Sequence, residues 1–433
     1  MKKNLYKIAF LLLPFLGMEA QQIPAPKQSK SILIMNATAH LGNGEVIENS
    51  VIGFKDGKLT LVADARVVRF DVSAYDQVIQ AEGKHVYPGF IAPNATLGLV
   101  EIDAVKASDD ENEIGTFTPH VRSIIAYNSE SRINETVRMN GVLLAQITPR
   151  GGRIPGTSSI VQLDAWTWED AIVKADDGIH LNFPSTFRRS GWWAEPGTIE
   201  ANKEYTKQVE EIKTFFALAK AYVSESSSQK NLTYEATKGL FEGSQTLFVT
   251  ANEEKQIIDA VEFTKALGIK KVVIVGGYQA NKVTDLLKKN NIPVLLQRTH
   301  SLPMLDENDV DLPYKLATLL TKAGVIVGLE NSGDMERMNT RNLPFQAGTC
   351  AGYGLTKEQA LQLITLNTAK ILGIDSQFGS LEVGKQATLF ISEGDALDMR
   401  TNKLIQAFIQ GRNVSLESHQ TNLYKKYKER YNQ

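Results

Sequence analysis

The chain has 433 residues, of which 42% are hydrophobic and 22% are charged, so it is long enough for a large core and more than one domain. Lys and Arg total 47 against 49 for Asp and Glu. The resulting net charge of -2 gives no electrostatic reason to expect a nucleic acid or an anionic surface as a partner. The single cysteine, Cys350, excludes an internal disulfide, and its apolar neighbours predict a buried, inert thiol.

The N-terminus has the order of charges and apolar residues that is typical of a secretory signal peptide. Three lysines precede an apolar run over residues 8–18, and Ala20 follows the run. We expect cleavage near Ala20, so that residues 1–20 are removed and the protein is secreted, to the periplasm. The run is too short for a stable membrane span, and an uncleaved anchor is the alternative.

Both ends of the chain predict short strands. Val, Ile, Leu and Phe are concentrated in brief runs separated by glycine turns, at residues 31–35, 51–54, 58–62, 387–391 and 404–410. This pattern predicts a composite β-sandwich made from residues 28–87 and 375–415. Residues 416–433 follow as a C-terminal tail, for which we expect a solvated helix.

The centre of the chain, residues 88–374, alternates apolar strands with helical patterns. A clear unit has a strand at residues 246–250, a helix that Asn252 would cap and Gly268 would end, and a strand at residues 271–275. This rhythm predicts parallel strands with helical crossovers. The expected fold class is therefore α/β, with a (β/α)8 TIM-like barrel beside the small β-sandwich domain.

The stretch 87–98, which reads YPGFIAPNATLG, predicts the first barrel strand. It resembles the strand of the amidohydrolase superfamily that carries two metal-binding histidines. Other segments are similar to the secreted, imidazolonepropionase-like branch of that superfamily, namely residues 100–105, 117–122, 151–159, 161–170, 341–348, 363–367 and 379–385. The resemblance implies a barrel whose active site lies at the carboxyl ends of the strands.

The same resemblance identifies the positions that would hold a metal. Asn94 and Thr96 stand where the two histidines of the first strand are expected, and Thr250 is the best match for a further histidine. Glu330 is the nearest match for the aspartate of the last strand. An amide and a hydroxyl do not replace imidazoles as zinc ligands, so we expect no metal and no other cofactor here.

His300 follows a barrel strand and is the histidine best placed to reach the active face. A lone histidine after a strand is nevertheless more often an ordinary hydrogen-bonding loop residue than a ligand, and that is the interpretation favoured here. Asp306 and Asp309 follow His300 in the chain and could form an acid pair, or they could belong to a solvated loop that caps the next helix. The glycine-containing stretch 151–159 fits no phosphate-binding motif and predicts a loop at the barrel's carboxyl face, and the acidic stretch 109–113 predicts a solvated loop.

The favoured function is an envelope protein on an amidohydrolase frame that lacks the catalytic metal site and binds a small amide-like or peptide-like ligand, or a partner. The alternative is an active hydrolase of C–N bonds with a modified site, using His300, Glu330 or Asp306, and zinc or another divalent ion if the metal is retained. A third interpretation is a subunit that stabilises a related amidohydrolase. The expected partners are thus a small molecule and, under the third interpretation, a related amidohydrolase subunit.

Overall fold

The computed structural model describes residues 23–192, 194–224, 229–333 and 335–431 of the chain. The predicted signal peptide lies outside these residues. The strands are β1 (Ile32–His40), β2 (Val46–Lys55), β3 (Lys58–Asp64), β4 (Gln77–Gln80), β5 (His85–Pro88), β6 (Phe90–Ala95), β7 (Val142–Ile147), β8 (Gly156–Gln162), β9 (Ile172–Asn182), β10 (Phe187–Trp192), β11 (Glu195–Ala201), β12 (Thr246–Ala251), β13 (Val272–Gly276), β14 (Val294–Leu296), β15 (Val327–Leu329), β16 (Leu389–Ser392), β17 (Leu404–Ile409) and β18 (Arg412–Val414).

The helices of the described residues are mostly short. They are α1 (Arg132–Arg138), α2 (Trp168–Ala171), α3 (Tyr205–Ser224), α4 (Leu232–Glu235), α5 (Lys238–Glu242), α6 (Glu254–Leu267), α7 (Thr284–Lys289), α8 (Leu312–Lys322), α9 (Glu336–Asn339), α10 (Leu343–Gly352), α11 (Lys357–Gln362), α12 (Leu366–Leu372) and α13 (His419–Tyr431).

Helix α6 shows how local sequence produces these elements. Glu253 and Gln256 form a capping box at its start, and Gly268 ends it with a φ of 74° in the left-handed region. Its inward face, which includes Ile257 and Val261, is buried. The predicted helix is confirmed, but the cap is Glu253 and not Asn252.

The central sheet has eight strands in the order β15-β14-β13-β12-β9-β8-β7-β6. All neighbouring pairs are parallel except β7–β8 and β8–β9, which are antiparallel. The predicted TIM-like barrel is confirmed as a nearly closed sheet, but β8 runs against its neighbours. The stretch between β7 and β8 is too short for a crossover helix, so the chain turns back directly. Four of the nine residues of the predicted loop 151–159 are therefore strand, from Gly156 onward.

The residues between α11 and α12 bridge the gap between the first and last barrel strands. Ile91 of β6 donates its N–H to the carbonyl of Ile364 at 2.9 Å, and Leu329 of β15 donates to the carbonyl of Leu363 at 3.2 Å. The lower barrel interior is filled by apolar side chains such as Leu144, Ile160 and Phe248.

Both chain ends contribute to a second eight-stranded sheet, with the order β18-β17-β16-β5-β1-β2-β3 and β4 beside β1. The sequence predicted a sandwich, and the structure has one continuous sheet that curls round its own core. The β2–β3 hairpin meets the segment before β16 where the sheet closes on itself. Leu59 donates to the carbonyl of Lys385 at 2.9 Å, and Ala387 donates to that of Gly57 at 2.7 Å.

The expected tail helix is α13, whose residues from 422 onward are exposed. It lies against α1, where the Thr136 hydroxyl donates to Oε1 of Gln420 at 3.1 Å. Among the helices that the structure describes, none has the length and apolar character needed to cross a membrane.

Candidate functional site at the barrel mouth

Asn94 is the residue around which the barrel mouth is built. It lies at the end of β6, is 5% exposed, and has a φ of 49°, a left-handed conformation that Asn tolerates better than most residues. Its backbone N–H donates to Oε1 of Gln146 on β7 at 3.0 Å. Its side-chain Nδ2 donates to Oε2 of Glu330, just after β15, at 3.3 Å. Asn94 therefore connects the first strand to both of its flanking strands.

The guanidinium of Arg150 lies directly against Asn94. Nη1 donates to Asn94 Oδ1 at 3.0 Å, and Nη2 donates to the Asn94 carbonyl at 2.7 Å. Nη2 also contacts both carboxylate oxygens of Glu336, at 3.0 and 3.1 Å. The Thr96 hydroxyl donates to the same carboxylate. A fixed cation and its counter-ion thus occupy the space next to Asn94 and Thr96.

Glu330 is 1% exposed and is held by its own turn. The Ser332 hydroxyl donates to Oε1 at 2.8 Å, and the Ser332 N–H donates to Oε2. Burial raises the pKa of Glu330, although the Ser332 hydrogen bonds oppose that effect. Glu330 thus lies after the last barrel strand, beside Asn94, and its carboxyl is desolvated.

A second arginine ties the long loop after β6 to this network. Arg337 donates to Thr96 Oγ1 at 3.2 Å and to Glu111 Oε2 at 2.8 Å, and it also pairs with Asp103. The acidic stretch 109–113 was expected to be solvated, and for Glu111 that expectation is wrong. Its side chain is 20% exposed, and burial raises its pKa.

A buried polar layer lies beneath the mouth. Nε2 of Gln146 donates to Asp177 Oδ2 at 2.8 Å, and the Ser158 hydroxyl donates to Asp177 Oδ1 at 2.8 Å. His180 Nε2 lies 3.0 Å from Ser158 Oγ, and its ring stacks on Phe248 with centroids 4.8 Å apart. Burial raises the pKa of Asp177 to about 6 and lowers that of His180 well below its ordinary range, so the histidine is neutral.

The other predicted residues lie further from this network. Thr250 is half-buried at the end of β12, between Asn182 and Val275 in the sheet. His300 bonds through Nε2 to Thr349 Oγ1 at 2.7 Å and lines a separate groove, and burial lowers its pKa. Asp306 is exposed. Within the described ranges, no hydrogen bond or ion pair joins His300 or Asp306 to Glu330.

The sequence patterns did not identify Arg150, Glu336 or the layer of Gln146, Asp177 and His180 as site residues. For two of these residues, the local sequence contains a pattern that indicates their position in the barrel. Arg150 follows an apolar strand closely, and His180 alternates with apolar residues in β9, although its segment was interpreted as irregular. Glu336 begins a four-residue helix after an irregular loop, and no local pattern marks it.

Comparison with known proteins agrees with this architecture. A family model described as "Amidohydrolase family" matches residues 191–416. The crystal structure of an amidohydrolase from Thermotoga maritima MSB8 is similar with a TM-score of 0.76 and 24% identity, covering 89% of this chain and 99% of that chain. That of A. niger ochratoxinase is similar with a TM-score of 0.54 and 14% identity, covering 89% of this chain and 96% of that chain.

A curated imidazolonepropionase of Shewanella frigidimarina (strain NCIMB 400) is 58% identical over 38 residues, which is 9% of this chain and 9% of that protein. The crystal structure of a Xaa-Pro dipeptidase with bound methionine has a TM-score of 0.53 at 14% identity, covering 89% of this chain and 100% of that chain. At these identities the solved structures support the fold alone.

The residues at the mouth do not fit a zinc ion. Zinc requires three or four converging N, S or O ligands, most often imidazoles, thiolates and carboxylates. Here the donors beside Glu330 are an amide, a hydroxyl and a carboxylate already paired with Arg150. In the part of the chain that the structure describes, no group of three or more His, Cys, Asp or Glu side chains is arranged to hold a metal.

Proposed function

Because the chain belongs to the amidohydrolase family, we propose that it is a cell-envelope member that works by binding a small amide-like or peptide-like ligand and not by metal-dependent hydrolysis. The observation that carries this proposal is the position of Arg150. Its guanidinium lies between Asn94 and Glu336, among the positions where the family resemblance predicts metal ligands.

Simple electrostatics supports the proposal. Two like unit charges 4 Å apart repel by about 4 kcal/mol at an effective dielectric constant of 20, and a divalent ion doubles that value. The Glu336 carboxylate paired with Arg150 offsets part of this repulsion, but the guanidinium also occupies the space beside Asn94 in which metal ligands would have to converge. The same guanidinium suits an amide ligand, because its side chain is 23% exposed and can donate to a carbonyl while the adjacent Glu336 carboxylate accepts an N–H.

Elemental analysis tests the proposal most directly. The mature protein would be purified without chelator, analysed, and analysed again after incubation with zinc. We expect far less than one metal ion per chain in both preparations. A near-stoichiometric metal content would contradict the proposal. Where Arg150 is substituted by methionine, Arg66→Met is the matched control. It removes an exposed arginine that is paired with Asp64 and lies far from Arg150 in the sequence.

Ligand binding at the mouth would then be sought by thermal shift with a panel of cyclic and linear amides. A compound that stabilises the wild type but not Arg150→Met would identify the ligand class. If no amide raises the melting temperature, the proposal that the mouth binds a small amide-like ligand is wrong. The envelope location has its own test, because mass spectrometry of protein exported by the native host should give an N-terminus near residue 21.

Glu330 favours a second candidate, a metal-independent hydrolase of C–N bonds. It is a buried carboxyl with a raised pKa at the end of a barrel strand, which is the environment of a general acid or base. Hydrolysis of cyclic amides by metal-free protein, lost in Glu330→Gln, would support this candidate over the binding role. Retention of that hydrolysis in Glu330→Gln would exclude Glu330 as the group responsible.

A further inference from the structure

Three buried side chains beneath the barrel mouth form a continuous hydrogen-bonded chain. Ser158 lies in the middle, with its Oγ 2.8 Å from Asp177 Oδ1 and 3.0 Å from His180 Nε2. Ser158 is fully buried, and Asp177 and His180 are 1% and 3% exposed. A single hydroxyl thus bridges a carboxyl and an imidazole inside the barrel.

The ionised carboxyl fixes the position of each proton in this chain. A carboxylate only accepts hydrogen bonds, so the one hydroxyl proton of Ser158 points to Asp177. The Ser158 oxygen then offers two lone pairs to two nitrogens, Gln146 Nε2 at 3.2 Å and His180 Nε2 at 3.0 Å. His180 therefore carries its proton on Nε2 while Asp177 is ionised.

Protonation of Asp177 reverses this arrangement. Its Oδ2 accepts from Gln146 Nε2 at 2.8 Å, so the added proton lies on Oδ1 and is donated to Ser158. If His180 kept its proton on Nε2, three donors would share the two lone pairs of Ser158. Turning the hydroxyl to the Gly178 carbonyl, at 3.2 Å, would not remove the third donor. The hydroxyl therefore donates to His180 Nε2, and the imidazole carries its proton on Nδ1.

We propose that Ser158 and His180 form a proton relay that neutralises and ionises Asp177. A proton that arrives binds His180 Nδ1, the Nε2 proton passes to Ser158 Oγ, and the hydroxyl proton passes to Asp177 Oδ1. One proton enters and one carboxylate is neutralised, while His180 is neutral before and after. The reverse sequence releases the proton. No ligand or metal takes part, so the inference does not depend on the proposed function.

Two cations act on the ends of the relay. Lys174, on the same strand as Asp177, favours the carboxylate, and Arg150, after β7, disfavours a positive charge on His180. Gln146 and Phe248, which also contact the layer, are neutral. The pKa of Asp177 is about 6, raised chiefly by burial, so the carboxyl exchanges its proton near neutral pH.

Gln146 connects the relay to the mouth. Its Nε2 donates to Asp177 Oδ2, and its Oε1 accepts the backbone N–H of Asn94 at 3.0 Å. A hydrogen bond to an ionised carboxylate is stronger than one to a neutral carboxyl. Proton uptake by Asp177 therefore weakens the contact that orients Gln146 toward Asn94.

Nuclear magnetic resonance of the full mature chain with 15N-labelled histidine tests the relay, because two-bond couplings show which ring nitrogen carries the proton. The His180 signals are identified by replacing each of the other histidines with glutamine in turn. At about pH 7 the proton should be mainly on Nε2 and at about pH 5 mainly on Nδ1, with the midpoint at the pKa of Asp177. One tautomer at both pH values, or a charged imidazole at the lower one, would overturn the proposal.

Matched variants separate the relay from simple burial. Ser158→Ala and Asp177→Asn should each hold His180 in one tautomer over the same pH range. Ser159→Ala should leave the exchange unchanged, because Ser159 is also buried but accepts the backbone N–H of Asp176 at 2.9 Å. An exchange that persists in Ser158→Ala would overturn the relay. Should Ser158→Ala not fold, neutron diffraction of wild-type crystals at the two pH values locates the same protons, and an Nε2 proton in both would overturn it.

The connection to the mouth is measured in the same spectra. The amide proton of Asn94 should shift with the midpoint of the His180 exchange in the wild type and stay constant in Asp177→Asn. A constant Asn94 resonance in the wild type would show that the relay does not act on the mouth.

Discussion

Arg150 and Glu336 form an ion pair in which one guanidinium nitrogen contacts both carboxylate oxygens, at 3.0 and 3.1 Å. Their side chains are 23% and 9% exposed, so the pair is largely removed from water. The same guanidinium holds the side chain and the carbonyl of Asn94. One cation thus organises the ends of β6 and β7 and the loop after β15.

We expect Arg150→Met to destabilise the protein by about 2–3 kcal/mol, because it leaves the Glu336 carboxylate desolvated and unpaired. Urea unfolding of both proteins would measure the difference. The double variant Arg150→Met with Glu336→Gln should recover part of the loss. Arg122→Met is the control. Its pair with Asp176 is exposed, so its loss should cost less than about 1 kcal/mol. Equal effects of the two single variants would contradict the role given to Arg150.

Because the backbone of Asn94 is left-handed, the glycine variant at this position should be more stable than the alanine variant, which is the reverse of the usual order. Asn94→Gly and Asn94→Ala lose the same side-chain hydrogen bonds, but only alanine is strained at a φ of 49°. We expect the alanine variant to be less stable by about 1 kcal/mol. At Asn413, on strand β18, the order should reverse, because glycine weakens an extended strand. Thermal unfolding of the four variants compares the two sites.

The double variant Asn94→His, Thr96→His should gain neither zinc nor hydrolytic activity. Arg150 would still place a positive charge beside the new imidazoles, and no third histidine ligand is supplied by Thr250. Elemental analysis after zinc incubation and an assay with cyclic amides measure both properties. Stoichiometric zinc in this variant would show that the mouth rearranges more readily than the hydrogen bonds indicate.

Asp177 should make stability depend on pH in a defined window. Its pKa rises from an ordinary 3.8 to about 6 in the folded protein, so the folded state binds more protons than the unfolded state between those values. Stability contributed by the protonated carboxyl is therefore full below about pH 4 and is lost as the pH rises to about 6. The loss is about 3 kcal/mol at 1.4 kcal/mol per pH unit.

Asp177→Asn should remove that dependence, so its stability relative to the wild type should increase from about pH 4 to about pH 7. Asp64→Asn is the control, because the contribution of Asp64 to stability should change with pH in the opposite direction. Its pKa is lowered to about 2, chiefly by the Arg66 hydrogen bond, so its contribution is present above its ordinary pKa and is lost as the pH falls. Urea unfolding at several pH values would measure both. A flat difference for Asp177→Asn would show that this carboxyl does not titrate in the folded protein as inferred.

Local pattern predicted much of the barrel. The strand at 246–250 and the helix that ends before Gly268 were found because apolar spacing and end signals are contained in a few consecutive residues. The direction of β8 was not found. A strand has the same alternation in either direction, and only the short connection from β7 makes it antiparallel.

For the candidate site, too, local sequence predicted some features and not others. Asn94, Thr96 and Glu330 could be placed at the mouth because each lies at or near the end of a predicted barrel strand. Their actual partners could not be predicted, since the contact of Arg150 with Glu336 joins two loops far apart in the sequence. The pKa of Asp177 likewise depends on burial by several strands, which no local pattern records.

The second sheet has a consequence for how the chain is made. Strand β5 from the first part of the chain pairs with β16 from the last part, with Val86 opposite Ile391. During synthesis from the N-terminus, β5 must wait for nearly the whole chain before this neighbour exists. Until then its edge is open to pairing with other chains. Versions truncated before residue 389 should therefore aggregate, even if every residue of the barrel is retained.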